Sequence, residues 1–324
     1  MTRKPAKSKH TSSEKKATQS GAEQPISGNV ALVKETTLEN ALYIVSTPIG
    51  NLRDITLRAL DVLARCDVLL CEDKRVTQKL LNAYTIKSRM MVYHDHNAEK
   101  QRPKILDVLQ KGQSVALVTD AGTPLISDPG FKLVQAVRQA GFNVIPVPGA
   151  SAVLAALAGA GVPTDMFTFA GFMPPKKSAR QAKLSSMAQY EMTLVFYESA
   201  NRLNAFLQDV FSTMGNRDVV IAREITKKFE EFIHAPVQDV IVRLQEGKPL
   251  KGEVVVMISA CQKDQQVNQY DDETLDQMLG EALSSMGMSV RDAAAYVAEE
   301  TGVQKRKLYA RALALSHAGR SDLG

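Results

Sequence analysis

The sequence is poor in aromatic residues and cysteine. Its 324 residues include no tryptophan, and aromatic residues make up only 6% of the chain. A chain with so few aromatic rings does not resemble proteins that bind single strands by stacking one base after another. The three cysteines, Cys66, Cys71 and Cys261, include no CxxC pair. This spacing argues against a zinc knuckle or a disulfide framework and indicates a protein of the reducing cytoplasm.

Long apolar runs are missing as well. The sequence contains no stretch of about 18 apolar residues, the length that spans a bilayer, and its N-terminus lacks the apolar core of a signal peptide. What is present is ordinary for a globular protein: 44% hydrophobic and 23% charged residues over a length that favours two domains. The net charge of +5 allows an anionic partner without requiring one.

The order of apolar and polar segments predicts an α/β fold. Residues 1–38 are basic and almost free of large apolar side chains, so we expect a disordered tail that either contacts RNA phosphates or is only solvated. Five strand-like runs alternating with amphipathic helices predict a mostly parallel sheet in residues 39–161. A second set of strands and helices predicts a further α/β domain in residues 162–262. Residues 273–318 are helical, and they form either a helix-turn-helix or a small helical docking element.

The segment Ser114–Gly130, SVALVTDAGTPLISDPG, is the centre of the predicted first domain. Its apolar run Val115–Thr119 indicates a buried parallel strand, followed by a turn at Asp120–Pro124 that lacks the glycine spacing of a P-loop or a dinucleotide fingerprint. Asp128 is the predicted N-cap of the next helix and Pro129 its first residue. A strand, a Gly/Thr turn and a helix start form the usual ligand crevice of an open α/β sheet, although a merely tight connection is the alternative.

Further polar clusters follow other predicted strands. The loop 46–56, STPIGNLRDIT, leaves the first strand at the same edge as the 120–128 turn. The cluster 94–97, HDHN, offers only two imidazoles without helical spacing, so we favour a polar cleft wall and predict no metal. In the second half, mixed-charge clusters at 197–202, 223–230 and 251–253 end or begin strands and indicate a polar site. Each acid in them, taken singly, is equally compatible with an ordinary ion pair.

Eight segments together resemble one family: TPIGNLRDIT (47–56), CED (71–73), YHDHN (93–97), VTDAGTPLISDPG (118–130), PVPGASA (146–152), YES (197–199), REITKKFEE (223–231) and KGEVVV (251–256). They are similar to bacterial small-subunit ribosomal RNA cytidine 2′-O-methyltransferases, which belong to the tetrapyrrole-methylase-like, class III S-adenosylmethionine methyltransferases. The resemblance covers residues 41–315. It implies two α/β domains with S-adenosylmethionine in the cleft between them, a homodimer, and ribosomal RNA or the small subunit as partner, without a membrane role.

The resemblance also implies roles for individual residues. The cofactor would lie along one set: Gly122, Thr123, Pro124, Ile126, Ser127, Ser151, Ala152 and Tyr197. Pro48 would belong to the floor of the acceptor cleft, to which we also assign Asn51, Asp73, His94 and Asn97. Methylation of a ribose hydroxyl needs alignment and a way to lose the proton, and for these roles we favour Arg223, Lys251 and Glu198. RNA phosphates would be contacted by a basic set: Lys176, Lys177, Arg202, Lys305, Arg306, Lys307 and Arg311.

Three other functions remain as alternatives. Methylation of a tetrapyrrole carbon uses a similar fold, but the first loop is TPIGN rather than the GPGD type, and a basic helix pair has no evident use for a macrocycle. A non-catalytic RNA-binding assembly factor would not need the neutral turn at 120–127. A nicotinamide dehydrogenase is disfavoured because GxGxxG is absent.

Overall fold

The computed structural model describes residues 37–247, 252–261, 270–301, 303 and 305–321. The predicted disordered tail lies almost entirely outside these residues, and so does Lys251. Within the described ranges, no helix is long and apolar enough to cross a membrane.

The first sheet is parallel and buried on both faces. Its strands, in spatial order β3-β2-β4-β1-β5, are β1 (Ala41–Val45), β2 (Val68–Cys71), β3 (Met90–Val92), β4 (Val115–Leu117) and β5 (Asn143–Val147). Alternate side chains of β1 enter different cores: Tyr43 and Val45 pack on one face, Leu42 and Ile44 on the other. Burial on both faces of the sheet explains why its strands are continuous apolar runs in the sequence. The predicted α/β layout is confirmed.

Four helices cover the two faces of this sheet. They are α1 (Leu57–Arg65), α2 (Lys74–Ala83), α3 (Ala98–Gln110) and α4 (Phe131–Gln139). Leu63 of α1 and Leu81 of α2 pack on one face, whereas Ile105 of α3 and Leu133 of α4 pack on the other. The adjacent strands β1 and β4 therefore send their helices to opposite faces, which opens a crevice at their carboxyl ends.

The second sheet is mixed. In spatial order β6-β7-β10-β8-β9, it contains β6 (Phe167–Phe172), β7 (Thr193–Ser199), β8 (Asp218–Arg223), β9 (Glu231–Pro236) and β10 (Glu253–Ile258). Only the β6–β7 pair is parallel among the pairs of this sheet. Its helices are α5 (Ala152–Ala160), α6 (Lys177–Ser185), α7 (Ala200–Met214) and α8 (Val237–Glu246).

The small residues of α5 permit close packing on this sheet. α5 covers one face, while α6, α7 and α8 cover the other. A Cβ at Gly159 would lie 2.6 Å from Cζ of Phe232, so the helix can approach β9 only because residue 159 has no side chain. This agrees with the close packing that the Ala/Gly content predicts.

Three C-terminal helices, α9 (Asp272–Ser284), α10 (Val290–Thr301) and α11 (Lys305–Ser321), enclose a small core of their own. Leu279, Val297 and Leu308 are fully buried in it. The α10 and α11 segments are the helix pair that the sequence predicts around a short turn.

One predicted helix start is wrong. α4 begins at Phe131 with Gly130 as N-cap, so Asp128 is not the cap and Pro129 is not the first helical residue. Gly130 has φ of +135°, and a Cβ there would lie 2.9 Å from Leu117 Cδ2. The chain needs this glycine to turn into the helix, and Asp128 is left in the loop before it. Gly141, with φ of +84°, follows the helix and ends it.

Candidate functional site

The loops after β1 and β4 are joined into one unit. The Thr47 amide donates to the Gly122 carbonyl at 2.9 Å, and the Gly122 amide donates to the Thr47 carbonyl at 3.1 Å. The neighbouring residues of the two loops add a side-chain contact, because the Ser46 and Thr123 hydroxyls lie 2.9 Å apart. The two loops therefore line the crevice together rather than moving as separate turns.

The first of these loops also contacts the second sheet. The Asn51 amide donates to the Thr226 hydroxyl at 3.1 Å, in the turn between β8 and β9. A Cβ on Gly50 would lie 2.6 Å from Lys227 Cγ and 2.8 Å from Thr226 Oγ1. The absence of a side chain at residue 50 thus lets the two halves of the protein meet and close one end of a cleft between the sheets.

This cleft holds about 1010 Å³ of empty space, counting the part open to solvent. The first half contributes chiefly loop residues: Ile49, Asp120, Gly122, Thr123, Ser127 and Asp128. The second half contributes apolar and aromatic strand residues: Phe172, Tyr197, Ala222, Ile225, Val254 and Val255. The Tyr197 ring packs edge-on against Phe169 at 4.8 Å and is tilted against Phe172 at 5.4 Å. The cleft therefore has a polar loop wall and an apolar sheet wall.

The charges of the cleft are mostly negative. Among the described residues, its lining includes five carboxylates, Asp120, Asp128, Glu198, Glu224 and Glu253, and one ammonium, that of Lys227. Lys227 Nζ is 3.0 Å from Glu224 Oε1, so this cation is already paired. A cleft of this charge favours a cationic ligand and disfavours a polyphosphate.

Burial changes the acidity of two of these acids, Asp128 and Asp120. Burial raises the pKa of Asp128 from 3.8 to about 6, assisted by the charges of Glu72, Asp120 and Glu253 and opposed by a hydrogen bond from the Thr119 side chain. Burial is also the main cause of the raised pKa of Asp120. Carboxylates with raised pKa values at a cleft are typical of functional sites.

Strained backbone conformations are concentrated in the loops that line the cleft. Among the described residues, five non-glycine residues have positive φ. Two of them, Leu125 (+73°) and Ser127 (+64°), lie in the loop after β4, and two more, Glu224 (+50°) and Thr226 (+65°), lie in the turn after β8. Such conformations cost about 1–3 kcal/mol each and persist where the surrounding structure holds them. Strained residues thus shape two of the loops that line the cleft, the one after β4 and the one after β8.

The structure brings together most residues assigned to a cofactor. Seven of the eight line the cleft: Gly122, Thr123, Ile126, Ser127, Ser151, Ala152 and Tyr197. Pro124 is buried and does not line it. Ser151 has a second role, since its hydroxyl caps α5 by accepting from the Leu154 amide.

Of the two described residues favoured for catalysis, Glu198 lines the cleft and Arg223 does not. The Glu198 side chain is 1% exposed; Oε1 accepts from the Ser199 amide at 2.8 Å, and Oε2 forms an ion pair with Arg202 Nη2 at 3.2 Å. Oε1 thus has a hydrogen-bond donor, whereas Oε2 has the ion pair but no hydrogen-bond partner among the described residues. Arg223 follows the lining residue Ala222, but its Nε donates to Glu231 Oε2 at 2.6 Å. Lys251 lies outside the described residues.

The predicted acceptor residues serve local structure. Asn51 caps the short 3₁₀ helix Leu52–Asp54, and Asp73 caps α2 while binding the Arg75 guanidinium. The Asn97 side chain accepts from the His94 amide and donates to the Val92 carbonyl. His94 Nδ1 is buried without a hydrogen-bond partner. Pro48 lies between Thr47 and the cleft residue Ile49.

The predicted RNA-binding cations divide into two groups. Lys176 and Lys177 are exposed at the start of α6, and Lys305, Arg306 and Lys307 are exposed at the start of α11. Of these, Lys307 lies 3.7 Å from Asp272.

Two arginines of this set have structural partners instead. Besides Glu198, Arg202 binds the Met173 carbonyl through Nη2 at 2.8 Å, and Arg311 is paired with Asp272 and Asp276. Spacing alone does not reveal such pairing, because each partner comes from another element.

Sequence reasoning missed several lining residues. Ala222, Ile225, Val254 and Val255 come from strands β8 and β10 and the turn after β8, and their type is indistinguishable from ordinary core. Only the polar clusters beside them, at 223–230 and 251–253, indicated this edge of the second sheet.

Comparison with known proteins identifies the fold and the family. Residues 41–241, most of the chain, match the family model of the tetrapyrrole (corrin/porphyrin) methylases. The chain belongs to the tetrapyrrole methylase family. Residues 269–316 match a second model, the RsmI C-terminal HTH domain, so the C-terminal helices are a helix-turn-helix.

Individual members of this family are similar over nearly their full length. A protein of Mesorhizobium japonicum is 43% identical over 89% of this chain and 96% of its own. One of Vibrio cholerae is 44% identical over 83% of this chain and 92% of its own, and one of Escherichia coli O157:H7 is 42% identical over 85% and 95%. Each is named ribosomal RNA small subunit methyltransferase I.

Solved structures of other family members share the fold at low sequence identity. The cobalamin biosynthetic enzyme cobalt precorrin-4 methyltransferase has a TM-score of 0.54 at 20% identity, covering 68% of this chain and 95% of its own. The methyltransferase CobJ has a TM-score of 0.51 at 17% identity, covering 68% and 94%. These likenesses extend over the two sheets and establish the architecture alone.

Proposed function

We propose that this protein is an S-adenosylmethionine-dependent methyltransferase that 2′-O-methylates the ribose of a cytidine in small-subunit ribosomal RNA. Membership of the tetrapyrrole methylase family supports the methyl-transfer chemistry. Relatives that are 42–44% identical and carry the name ribosomal RNA small subunit methyltransferase I support the RNA substrate. The matching C-terminal helix-turn-helix supports it further.

The observation that carries the proposal is the charge and shape of the cleft. S-adenosylmethionine bears a sulfonium and an ammonium, and the surplus of carboxylates along the cleft suits both. A Cβ at Gly122 would meet only Ile49 Cγ2, at 3.5 Å, so the backbone there is open to a ligand. A nucleotide polyphosphate would instead face five carboxylates and a lysine that is already paired. The residues present therefore fit the cofactor.

The protein's own groups would divide the binding between two walls. Backbone amides and hydroxyls of the Gly122–Ser127 turn would hold the polar end of the ligand, and the sheet wall around Tyr197 and Phe172 would exclude water from the adenosine end. When bound, the cofactor supplies an electrophilic methyl group. Alignment of a ribose hydroxyl with that methyl group is then the principal task of the surrounding residues.

The RNA partner would be held by exposed cations. Lys176 and Lys177 stand at the start of α6, beside Phe172 of the cleft wall, and the exposed cations 305–307 begin the second helix of the helix-turn-helix. Cations at these two positions would contact phosphates and position the RNA without reading its sequence. The division into domains 39–161, 162–262 and 273–318 is part of this proposal, as is a cytoplasmic location.

A homodimer is also proposed. β6 is an edge strand of the second sheet, and Met166, Phe167 and Phe172 at its ends are exposed. Apolar edges of this kind are commonly covered by another subunit. Light scattering on the purified protein tests this: we expect twice the monomer mass for the wild type and the monomer mass for Phe167→Glu, whereas a monomeric wild type contradicts the dimer.

The decisive experiment is transfer of tritiated methyl groups to purified small ribosomal subunits that lack the modification. Label in an alkali-resistant dinucleotide is expected, because a 2′-O-methyl group blocks cleavage of the adjacent phosphodiester. Unlabelled subunits together with a labelled tetrapyrrole acceptor would refute the RNA substrate. Retention of S-adenosylmethionine without any methyl transfer would favour a non-catalytic assembly factor.

A further inference from the structure

A second cleft lies beside the first, at the same edge of the parallel sheet. It is formed by the start of α3 and the start of α4, and it holds about 1000 Å³ of empty space, counting the part open to solvent. Its walls carry four nitrogen groups, those of His96, Lys100, Arg102 and Lys132, together with three carboxylates, those of Asp95, Glu99 and Asp128. They also carry the exposed aromatic ring of Phe131. His94 and Asn97, which the sequence assigned to an acceptor cleft, are next in the chain to residues that line this second cleft but do not line it themselves.

One residue belongs to both clefts. Asp128 lines the cofactor cleft and is also part of the wall of the second cleft. Because α4 starts at Phe131 and Gly130 is its N-cap, Asp128 does not cap the helix, and its side chain remains in the loop between the two cavities. A group bound in the second cleft therefore lies against a carboxylate that also lines the cofactor cleft.

The walls of the second cleft match the chemistry of a nucleotide. Phe131 is 63% exposed at the first residue of a helix, where an apolar ring gains nothing from the core. Exposed rings beside cations are the usual platform for an unstacked base and its phosphates. The cofactor cleft, in contrast, has a surplus of carboxylates, so a phosphate is better accommodated in the second cleft.

We propose that the second cleft is the acceptor subsite for an RNA nucleotide, in which Phe131 stacks on the base, Lys100, Arg102 and Lys132 hold the flanking phosphates, and Asp128 accepts the ribose proton. The proposal rests on the proposed function. It replaces Glu198 as the base, since the Glu198 side chain is 1% exposed, accepts from the Ser199 amide and is ion-paired with Arg202.

The proposed reaction step is a displacement at carbon. The ribose 2′-oxygen forms its bond to the methyl carbon while the carbon–sulfur bond breaks and its electron pair goes to sulfur. The hydroxyl proton moves to the Asp128 carboxylate. The sulfonium charge and the carboxylate charge are both neutralised, so the step is balanced without another reactant.

The surroundings of Asp128 suit a base that works near neutral pH. Its pKa is raised by burial and by nearby acids, which makes the carboxylate a better proton acceptor than an ordinary aspartate. On the first-cleft side, the charged and titratable groups around it are Asp120, Tyr197, Glu198, Glu224, Lys227 and Glu253. On the second-cleft side they are Tyr93, Asp95, His96, Glu99, Lys100, Arg102 and Lys132, and the charge of Glu72 also acts on Asp128.

Substitution Asp128→Asn tests the proton acceptor. We expect a small-subunit affinity within about 2-fold of wild type and, at saturating S-adenosylmethionine, a single-turnover methylation rate lower by about 100-fold or more. The wild-type rate is expected to rise with pH up to about 6 and then level off, as the Asp128 carboxyl ionises; the variant is expected to lose this limb. Asp107→Asn, on the exposed side of α3, is the matched control with unchanged rate and profile.

Substitution Phe131→Ala tests the stacking platform without relying on catalysis. We expect about a 10-fold weaker affinity for unmethylated small subunits, measured without S-adenosylmethionine, and recovery in Phe131→Trp. Phe211→Ala, which removes an exposed ring from α7, is expected to bind normally. Thermal unfolding of each variant shows whether the fold is kept.

The outcomes separate the two proposals. Wild-type rates in Asp128→Asn, or wild-type subunit affinity in Phe131→Ala, overturn the assignment of the second cleft while the proposed function stands. A wild-type protein that methylates no small subunit overturns the proposed function, and the acceptor subsite is lost with it.

Discussion

Thr47 and Gly122 exchange two backbone hydrogen bonds although 75 residues separate them in the chain. The pair joins the loop after β1 to the loop after β4, the two adjacent strands whose helices pack on opposite faces of the sheet. The same β1 loop reaches the turn after β8 through Asn51. Three loops from both halves of the protein are therefore held in one arrangement, and the cleft that they line depends on small backbone contacts more than on any single side chain.

Gly122→Arg is expected to abolish S-adenosylmethionine binding. Residue 122 has φ of +81° and faces the cleft, so a long side chain there fills the space that the ligand needs. Gly122→Ala separates this effect from backbone strain, because both variants carry the same strain of about 1–2 kcal/mol. Isothermal titration should show no binding for Arg and measurable, weaker binding for Ala. Equal binding by both variants would place the ligand elsewhere.

Gly50→Ala is expected to displace the loop contact between the two halves. The new methyl group would lie 2.6 Å from Lys227 Cγ, 2.8 Å from Thr226 Oγ1 and 3.1 Å from the Ile225 carbonyl oxygen. Overpacking of this kind costs about 1–3 kcal/mol, and we expect S-adenosylmethionine affinity to fall by about 10-fold as Ile225 moves. Urea unfolding and titration calorimetry measure the two effects.

The matched control is Gly280→Ala in α9. A Cβ there meets nothing within 4 Å, and alanine is favoured over glycine in a helix by about 1 kcal/mol. This variant should be as stable as the wild type or slightly more so, with unchanged affinity. Equal effects at residues 50 and 280 would show that the loop contact is unimportant.

The sequence was sufficient to predict the sheets but not the pairing of charges. Each strand of the first sheet is a short apolar run bounded by polar turns, and burial on both faces leaves this pattern little freedom. The start of α4 was mispredicted because the positive φ values at Leu125 and Ser127 redirect the chain before Gly130, and neither residue type favours that conformation. Arg202 and Arg311 resembled free cations because their partners, the Met173 carbonyl and Asp276, lie on other elements.

Asp209→Ala is expected to destabilise the second sheet region strongly. Asp209 Oδ2 lies 2.6 Å from both Nε and Nη2 of Arg180, whose side chain is 7% exposed, and Oδ1 accepts from Gln181 Nε2. Removing the carboxylate leaves a buried guanidinium without its counter-charge, which costs about 3–5 kcal/mol. Asp107→Ala breaks the exposed pair with Lys111 and should cost less than about 1 kcal/mol. Urea unfolding of both variants provides the comparison, and equal losses would contradict it.

Asp128 also makes stability depend on pH in a defined direction. Its pKa is about 6 in the folded protein against an ordinary 3.8, so between these values the folded state binds more protons than the unfolded state. The free energy of unfolding therefore falls as pH rises from about 4 to above 6. Because the Asp128 side chain is only half-buried and solvent screens part of the effect, we expect less than the roughly 3 kcal/mol to which the full shift corresponds. Asp128→Asn removes the ionisable carboxyl, so its stability relative to wild type should increase over that range. Urea unfolding of both proteins at pH 4 and pH 7 measures the difference, because contributions from all other groups cancel to first order. An identical difference at the two pH values would show that Asp128 titrates normally, and would leave the carboxylate without the basicity that accepting a ribose proton requires.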